Sequence, residues 1–412
     1  MEVKKIFVVG GGPAGIMAAI RAGEFQKDVT LVEKNPILGK KLLLSGKGRC
    51  NLTNACDLEL FLKRFSKNGQ FLRDAFKKFF YPDLIIFFEK RGLKLKIERQ
   101  LRVFPITDKS ITVLEVLKKE LLRKKVKVVY KARLKDVVLQ DKRIKGLIFS
   151  EGKFIPADRL ILATGGVSYA FTGSTGEGLK LAEKLGHSIT GLRPGLVPLE
   201  TRERYPLEGL TLKNIRIKFS DGQRQIFSDV GELLFTGSGI SGPLVLTLSG
   251  QIIDWLNDDK SVYAEIDLKP ALSKEQLNER LLRDFKLNPK KSIKNTLKEL
   301  LPQRLIGIFL EIAKINPEKK VSHITQAQRQ SLVSLLKALR LVISKPRPID
   351  EAMITRGGVS LKNINPRTME SRLIKGLYFA GEMIDVDADT GGFNLQAAFS
   401  TGYLAGESAA LN

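Results

Sequence analysis

Gly10, Gly12 and Gly15 follow the apolar run Ile6-Phe7-Val8-Val9 and open a stretch in which Ile16, Ala19, Ile20 and Gly23 recur at helical spacing. A strand that turns into a helix through G-x-G-x-x-G is suited to one task. It offers a pyrophosphate free backbone N–H groups and the positive end of a helix dipole. The first glycine permits the turn, the second lets a phosphate approach the backbone, and the third lets the helix lie close to the sheet. A second apolar run, Val29-Thr30-Leu31-Val32, ends at Glu33. An acid at that distance from the glycines accepts hydrogen bonds from ribose hydroxyls and disfavours a 2′-phosphate.

A dinucleotide unit of this kind serves NAD or FAD, and the remaining segments separate the two. FAD held by its ADP half at residues 10–15 places its ring some distance away, where other segments must meet it. Three have suitable chemistry. The loop Ser45-Gly46-Lys47-Gly48-Arg49-Cys50-Asn51-Leu52-Thr53-Asn54 is rich in backbone donors and carries a guanidinium. Ala163-Thr164-Gly165-Gly166 stops the apolar run Leu160-Ile161-Leu162. Gly381-Glu382 is followed by Gly391-Gly392-Phe393-Asn394-Leu395-Gln396, a glycine pair at a helix start. A helix N-terminus aimed at the flavin N1 and C2 carbonyl stabilises the negative charge of the reduced ring. Glu382 can accept hydrogen bonds from ribityl hydroxyls. Leu395, Ala398, Phe399 and Leu404 keep helical spacing, so the same helix also packs a core. Together these segments predict FAD.

The patterning of the chain indicates what must hold them. Its 412 residues, 43% hydrophobic and 27% charged, suffice for two or three domains with real cores, which excludes a disordered chain or a disulfide-stapled miniprotein. No apolar run approaches the ~18 residues of a membrane span. Met1-Glu2-Val3-Lys4-Lys5 leads straight into the first strand without a leader pattern, and Cys50 and Cys56 are the only cysteines, so a reducing cytoplasm is expected. The short apolar runs predict a buried parallel sheet, with further strands around Val128-Val129 and Leu134–Leu139. From Arg193-Pro194 to about residue 270 the chain reads as β, with alternation at Ile215–Phe219 and Val262–Ile266. Residues 273–340 read as helical, ending in Leu332, Leu335, Leu336 and Leu339, and Pro346 and Pro348 close the block. The expected fold class is α/β: a Rossmann-type FAD-binding domain in two segments, 1–193 and 345–412, interrupted by a β domain at 194–272 and a helical subdomain at 273–344.

Other constellations carry less. Lys and Arg total 69 against 44 for Asp and Glu, a formal net charge of +25. The cations are dispersed and read first as solvated helix faces, with a nucleic-acid partner as the second reading. Cys50 and Cys56 have the wrong spacing for the redox pair of flavin disulfide reductases. His187 follows an amphipathic helix and reads as a structural histidine, while His323 has no role. Thr172–Gly178 is glycine-rich before a helix but lacks the strand and spacing of a second Rossmann site, so a nicotinamide would bind only transiently at the flavin face. Asp385, Asp387 and Asp389 lack the spacing of a calcium loop and read as a solvated turn. No metal site is expected, and no side chain stands out as a general base.

The chain resembles the HI0933-like family of FAD flavoproteins (BaiN-like, aminoacetone-oxidase-like), a branch of the glutathione-reductase-type proteins. The resemblance is carried by GGGPAG at 10–15, SGKGRCNLTN at 45–54, ATGG at 163–166, TGSTGEGLKLAEKLGH at 172–187, RPGLVPLE at 193–200, GELLFTGSGISGPLVLTLS at 231–249 and the long match at 355–406. It implies FAD contacts at Gly10, Gly12, Pro13, Ala14, Gly15, Glu33, Lys34, Arg49, Asn51, Ala163, Thr164, Gly165, Gly381, Glu382, Asn394, Leu395 and Gln396. The expected set also takes in Lys41, Gly46, Cys50 and Gly392. Leu134 is the expected backbone partner of adenine. Position 237 is glycine where the family commonly has histidine, so no role resting on that imidazole carries over. Members are assigned oxidase or reductase activity on small molecules, including aminoacetone oxidation and reduction of unsaturated bile-acid intermediates. The expectation is therefore an FAD-dependent oxidoreductase acting on a small molecule, with NAD(P)H as a transient donor. A flavoprotein that binds or modifies nucleic acid, namely tRNA, is the alternative.

Overall fold

Five short apolar runs form a wholly parallel sheet in the order Leu377–Phe379, Arg159–Leu162, Ile6–Val9, Val29–Val32, Lys127–Val129. Every residue of Ile6–Val9 and of Val29–Val32 is buried, as a sheet covered on both faces requires. The computed structural model describes residues 3–258 and 260–412. Met1–Gly195 and Ile349–Asn412 make one compact unit and Leu196–Pro348 a second. Around the parallel sheet, the first unit adds a three-stranded antiparallel sheet of Thr53–Asn54, Arg102–Pro105 and Leu95–Ile97, and a meander of Leu134–Gln140, Arg143–Phe149 and Phe154–Pro156.

Two helices cover one face of this sheet, Pro13–Ala22 and the terminal helix Phe393–Leu411. They run in the same direction and nearly touch. A side-chain carbon added at Gly402 would lie 2.2 Å from the Ala14 carbonyl oxygen, and one at Gly406 would lie 2.3 Å from that of Ala18. Two glycines one turn apart thus let the backbones meet, a spacing known from closely crossing helices. Gly402 lies nine residues beyond Phe393, whereas Ala14 lies one beyond Pro13. At 1.5 Å per residue the terminal helix therefore begins about 12 Å ahead of the first.

The second unit is a seven-stranded antiparallel sheet. Its strands Thr211–Ser220 and Val262–Asp267 also pair with each other, closing six of the seven strands into a barrel. Two elements differ from the sequence expectation. Pro243–Leu256 is a helix within the stretch read as β; Leu244-Val245-Leu246 mimics a strand, but Gly242-Pro243 is a helix start, and Val245, Leu248, Ile252 and Trp255 keep helical spacing. Leu339–Pro346, read as the tail of a helical block ending at residue 344, is a barrel strand with buried and exposed positions alternating from Leu339 to Ile343. Barrel strands and helices share a single apolar core, so nothing divides this unit at residue 272. Among the described residues no helix is long and apolar enough to cross a membrane.

Two outcomes follow. Gly402→Ala forces the paired backbones apart. It should cost about 1–3 kcal/mol, seen as a thermal midpoint several degrees lower; an unchanged midpoint would mean that the contact is not tight. The second concerns Glu120, buried on the helix Ser110–Arg123, which accepts hydrogen bonds from Arg123 Nη2 at 2.6 Å and Arg91 Nη2 at 2.8 Å. Burial works to raise its carboxyl, but the two guanidinium groups outweigh it and hold it down to about 2. A depressed folded-state value stabilises the protein above the ordinary carboxylate range and loses that stabilisation as pH falls. The stability advantage over Glu120→Gln should hold from neutral pH to about 4.5 and shrink between there and about 2, read by denaturant midpoints at each pH.

Candidate functional site

The segments singled out in the sequence leave the parallel sheet at one edge. Gly10 follows Ile6–Val9, Glu33 follows Val29–Val32, Ala163-Thr164-Gly165 follow Arg159–Leu162, and Gly381-Glu382 follow Leu377–Phe379. In open parallel sheets, ligands bind at this C-terminal edge. Backbone bonds hold the exits in step, Gly10 N donating to Val32 O and Ala163 N to Val9 O, each at 2.9 Å. A side-chain carbon at Gly10 would lie 2.3 Å from the Ala163 carbonyl oxygen, and one at Gly15 would lie 1.9 Å from that of Gly10. At Gly12 it would meet nothing within 4 Å. Two of the three glycines are thus fixed by packing and the third faces open space, ahead of a helix with no side-chain cap and Pro13 in its first turn. That cradle fits a pyrophosphate. Ala14 lies beneath Gly381, whose added carbon would come within 2.7 Å of its Cβ.

Glu33 is buried and serves the turn itself. Its Oε2 accepts from Gly11 N at 2.7 Å, and its Oε1 accepts from the backbone and side-chain nitrogens of Asn35, each at 2.7 Å. Lys34 reaches across to the 172–178 loop, donating to Thr175 Oγ1 at 2.7 Å and pairing with Glu177 at 3.3 Å. Hydrogen bonds from Arg133 are the largest of the effects that hold Glu177 down to about 2. Leu134 starts the meander, half-buried opposite Phe149.

A polar knot ties four segments behind the edge. Lys41 Nζ donates to Glu382 Oε2 at 2.6 Å and to Ser168 Oγ at 2.7 Å. Glu382 Oε1 accepts from Ser168 Oγ at 2.8 Å and from Thr355 N at 2.7 Å. Thr355 Oγ1 in turn accepts from Val167 N at 2.8 Å and Ser168 N at 3.0 Å. Neither Ser168 nor Thr355 stood out in the sequence, because single hydroxyls carry no pattern.

At the second helix start the side chains bond largely within the protein. Gln396 is fully buried, its Nε2 donating to Phe79 O at 3.3 Å and to Ser400 Oγ at 3.0 Å, while its Oε1 is a buried acceptor with no partner. Asn394 folds back on the preceding loop, its Nδ2 donating to Ala388 O at 2.9 Å while its Oδ1 accepts from Ala388 N at 3.0 Å. Leu395 packs against the core. The helix has no side-chain cap, so its contribution to a ligand is its backbone N–H groups and dipole. Gly392, in the left-handed region, rests on Thr53, whose carbonyl lies 2.4 Å from where a side-chain carbon would be.

The 45–54 loop coils tightly, with Gly46, Lys47, Gly48 and Cys50 all left-handed. The Arg49 side chain is spent elsewhere: its guanidinium pairs with Glu98 at 2.5 Å and Asp108 at 2.6 Å and lies over the Phe104 ring at 4.1 Å. Asn51 Oδ1 is buried with no partner, an orphan acceptor that suits a ligand donor. Burial pushes the Cys50 thiol up to about 12, and both cysteines are buried and free. His187 lies in the core, its Nε2 2.7 Å from Ser371 Oγ. The expected solvated turn at 385–389 is tied down instead, Asp387 pairing with Arg356 at 3.6 Å and Asp389 with Arg64 at 3.5 Å. No group among the described residues is arranged to hold a metal ion.

One structural element escaped the sequence reading, the hairpin of Leu95–Ile97 and Arg102–Pro105. At its tip Gln100 (φ 61°) and Leu101 (φ 58°) are both left-handed, a strain of about 1–3 kcal/mol each. Hydrogen bonds hold it: Gln100 O accepts from Asn54 Nδ2 at 2.9 Å and Leu101 O from Ala55 N at 2.8 Å.

The comparisons with known proteins agree with this geometry. The profile of the HI0933-like protein Rossmann domain matches residues 4–408. A 3-dehydro-bile acid delta(4,6)-reductase of Clostridium scindens is 34% identical over 99% of both chains. A ribosomal RNA dihydrouridine synthase of Haemophilus influenzae is 30% identical over 96% of both. A solved 3-ketosteroid delta1-dehydrogenase of Sterolibacterium denitrificans, 11% identical over the whole of both chains with a TM-score of 0.52, shares the fold. The chain therefore belongs to the HI0933-like family, with its Rossmann-type FAD-binding fold, and is an FAD-dependent oxidoreductase.

Proposed function

We propose that the enzyme reduces a carbon–carbon double bond conjugated to a carbonyl in a small molecule, with NAD(P)H as a transient electron donor. One observation carries the cofactor half of this reading. Two uncapped helices, locked side by side through Gly402 and Gly406, point their N-termini the same way, with a stagger of about 12 Å. A single elongated dinucleotide can use both. The names of two relatives support the reaction half: a delta(4,6)-reductase of a 3-dehydro-bile acid and a dihydrouridine synthase both saturate a double bond next to a carbonyl.

In this reading the 12–15 turn binds the pyrophosphate through backbone N–H groups, and Asn51 Oδ1 accepts a hydrogen bond from the cofactor. The terminal helix places its positive end where negative charge accumulates on reduction. Glu382, held by Lys41, Ser168 and Thr355, fixes the 381–382 turn beneath it. FAD held there would supply two-electron hydride chemistry, with NAD(P)H as the donor, the β carbon of the conjugated carbonyl as the acceptor and a proton completing the α carbon.

The formal net charge of +25 favours a second reading, in which the reducible group is a uracil within RNA. It predicts co-purifying RNA that salt removes.

Two experiments test these readings. Gly12→Val places a side chain in open space at φ −83° and should leave the thermal midpoint of the flavin-free protein unchanged, while lowering flavin retention at least tenfold. Full retention would move the pyrophosphate elsewhere. Anaerobic titration with NADH and NADPH, followed by addition of enones and of uridine-containing RNA, reads the flavin absorbance directly. Rapid reoxidation by a conjugated acceptor is expected; a reduced flavin that none of them reoxidises would overturn the proposed reaction.

A further inference from the structure

Lys94, Lys96, Arg99, Arg102 and Lys109 of the 94–109 segment and Arg49 of the preceding loop differ in how they are paired. Arg49 and Lys96 interlock with Glu98 and Asp108, Lys96 Nζ donating to Asp108 Oδ2 at 2.7 Å, so these four charges satisfy one another. Lys94 and Lys109 at the ends of the segment, and Arg99 and Arg102 at the hairpin tip, have no carboxylate partner among the described residues. Arg102 Nε donates only to Arg99 O, at 3.2 Å. Between them stands Leu101, 46% exposed, with Ile97 57% exposed beside the tip. Two unmatched guanidinium groups bracketing exposed apolar side chains form a surface that matches an amphipathic anion better than water.

The tip is also fastened to the flavin end of the fold. Asn54 Nδ2 donates to Gln100 O at 2.9 Å and to Gly391 O at 3.3 Å, bridging the strained turn and the residue before the N-cap of the terminal helix. Arg102 lies opposite Asn54 in the strand register, and Thr53 underlies Gly392. The left-handed Gln100 and Leu101 are held through Asn54 and Ala55, and Asn54 together with its neighbour Thr53 also supports the start of the terminal helix.

We propose that this tip is a substrate-positioning element: Arg99 and Arg102 bind an oxyanion carried by the substrate away from its reacting bond, and Leu101 packs against the adjoining apolar surface. The inference rests on the conjugated-carbonyl reading and deepens it. The shared chemistry is an oxyanion, whose source is either the carboxylate of a small acid or the phosphodiester of an RNA strand.

The test uses the flavin-loaded enzyme and the double variant Arg99→Gln, Arg102→Gln, with Arg99→Lys, Arg102→Lys as the conservative control; Arg99 is exposed and Arg102 half-buried, so the folding of each variant is checked by thermal midpoint. The probes are a 3-oxo-4-ene steroid carboxylic acid, its methyl ester, and a uridine 20-mer. For a carboxylate source, KM for the acid should rise at least tenfold in the Gln variant with kcat and the ester's KM within twofold, and Lys should restore part of the loss. For a phosphodiester source, 20-mer affinity by anisotropy should fall about tenfold, with a salt slope shallower by about two. Equal losses for acid and ester, or no change for either anion, overturn the assignment. Anion binding, read by anisotropy and by perturbation of the oxidised flavin spectrum, needs no turnover. An enzyme that binds the anions through these arginines but reduces none of the probes would therefore sink the reaction and leave the binding element standing.

Discussion

The contact of Gly402 and Gly406 with the Ala14 and Ala18 carbonyls is the constraint on which the site depends. A helix dipole is useful to a ligand only where its N-terminus is held, and both N-termini here are held by one another. The first helix is fixed to the sheet by Gly15 lying against Gly10, and Gly10 by Ala163. The terminal helix is then placed by its register on the first. Any residue larger than glycine at 402 or 406 would change the separation of the helices and so the relation between the two ends of the site.

That arrangement explains a division of labour. Along the cofactor edge, side chains mostly serve the protein: Glu33 secures the glycine turn, Asn394 the 388–389 loop, Gln396 the core beneath Phe79, and Glu382 the knot with Lys41 and Ser168. The N–H groups of the two helix starts are left without side-chain caps. A cofactor with charge and hydrogen-bonding groups spread along its length is well met by donors that cannot change rotamer, so preorganisation is carried by the main chain and the side chains keep it rigid.

This division also sets what the sequence could disclose. The steric demand at Gly10 and Gly15 admits only one residue type, so a single chain shows it, and the exits of Glu33, Ala163 and Gly381 follow from short apolar runs. The direction of a side chain is not written in this way. The resemblance implies FAD contacts at Gln396 and Asn394, but no local pattern shows that Gln396 Nε2 meets a carbonyl over 300 residues away in sequence. The resemblance implies an FAD contact at Arg49, and Glu98 and Asp108, which pair with its guanidinium, lie some 50 residues downstream, beyond any local pattern. Pro243–Leu256 was hidden by an apolar triplet that satisfies either period, and only the Gly-Pro start distinguishes them.

The same neutralisation gives the net charge a local meaning. An excess of +25 says little while its cations are dispersed, because exposed charges beyond a Debye length of about 10 Å act almost independently. What matters is where a cation stands without an acid while its neighbours have one. Around the hairpin, pairing removes Arg49 and Lys96 from the field; Lys94 and Lys109 stay unpaired at the ends of the 94–109 segment, and Arg99 and Arg102 on a turn whose backbone is held in a costly conformation by Asn54. A solvated hairpin has no need to hold bulky Leu101 left-handed, since an Asn-Gly pair would make the same turn without strain. Retaining leucine between two arginines there, beside the start of the terminal helix, is the pattern of a surface shaped for contact.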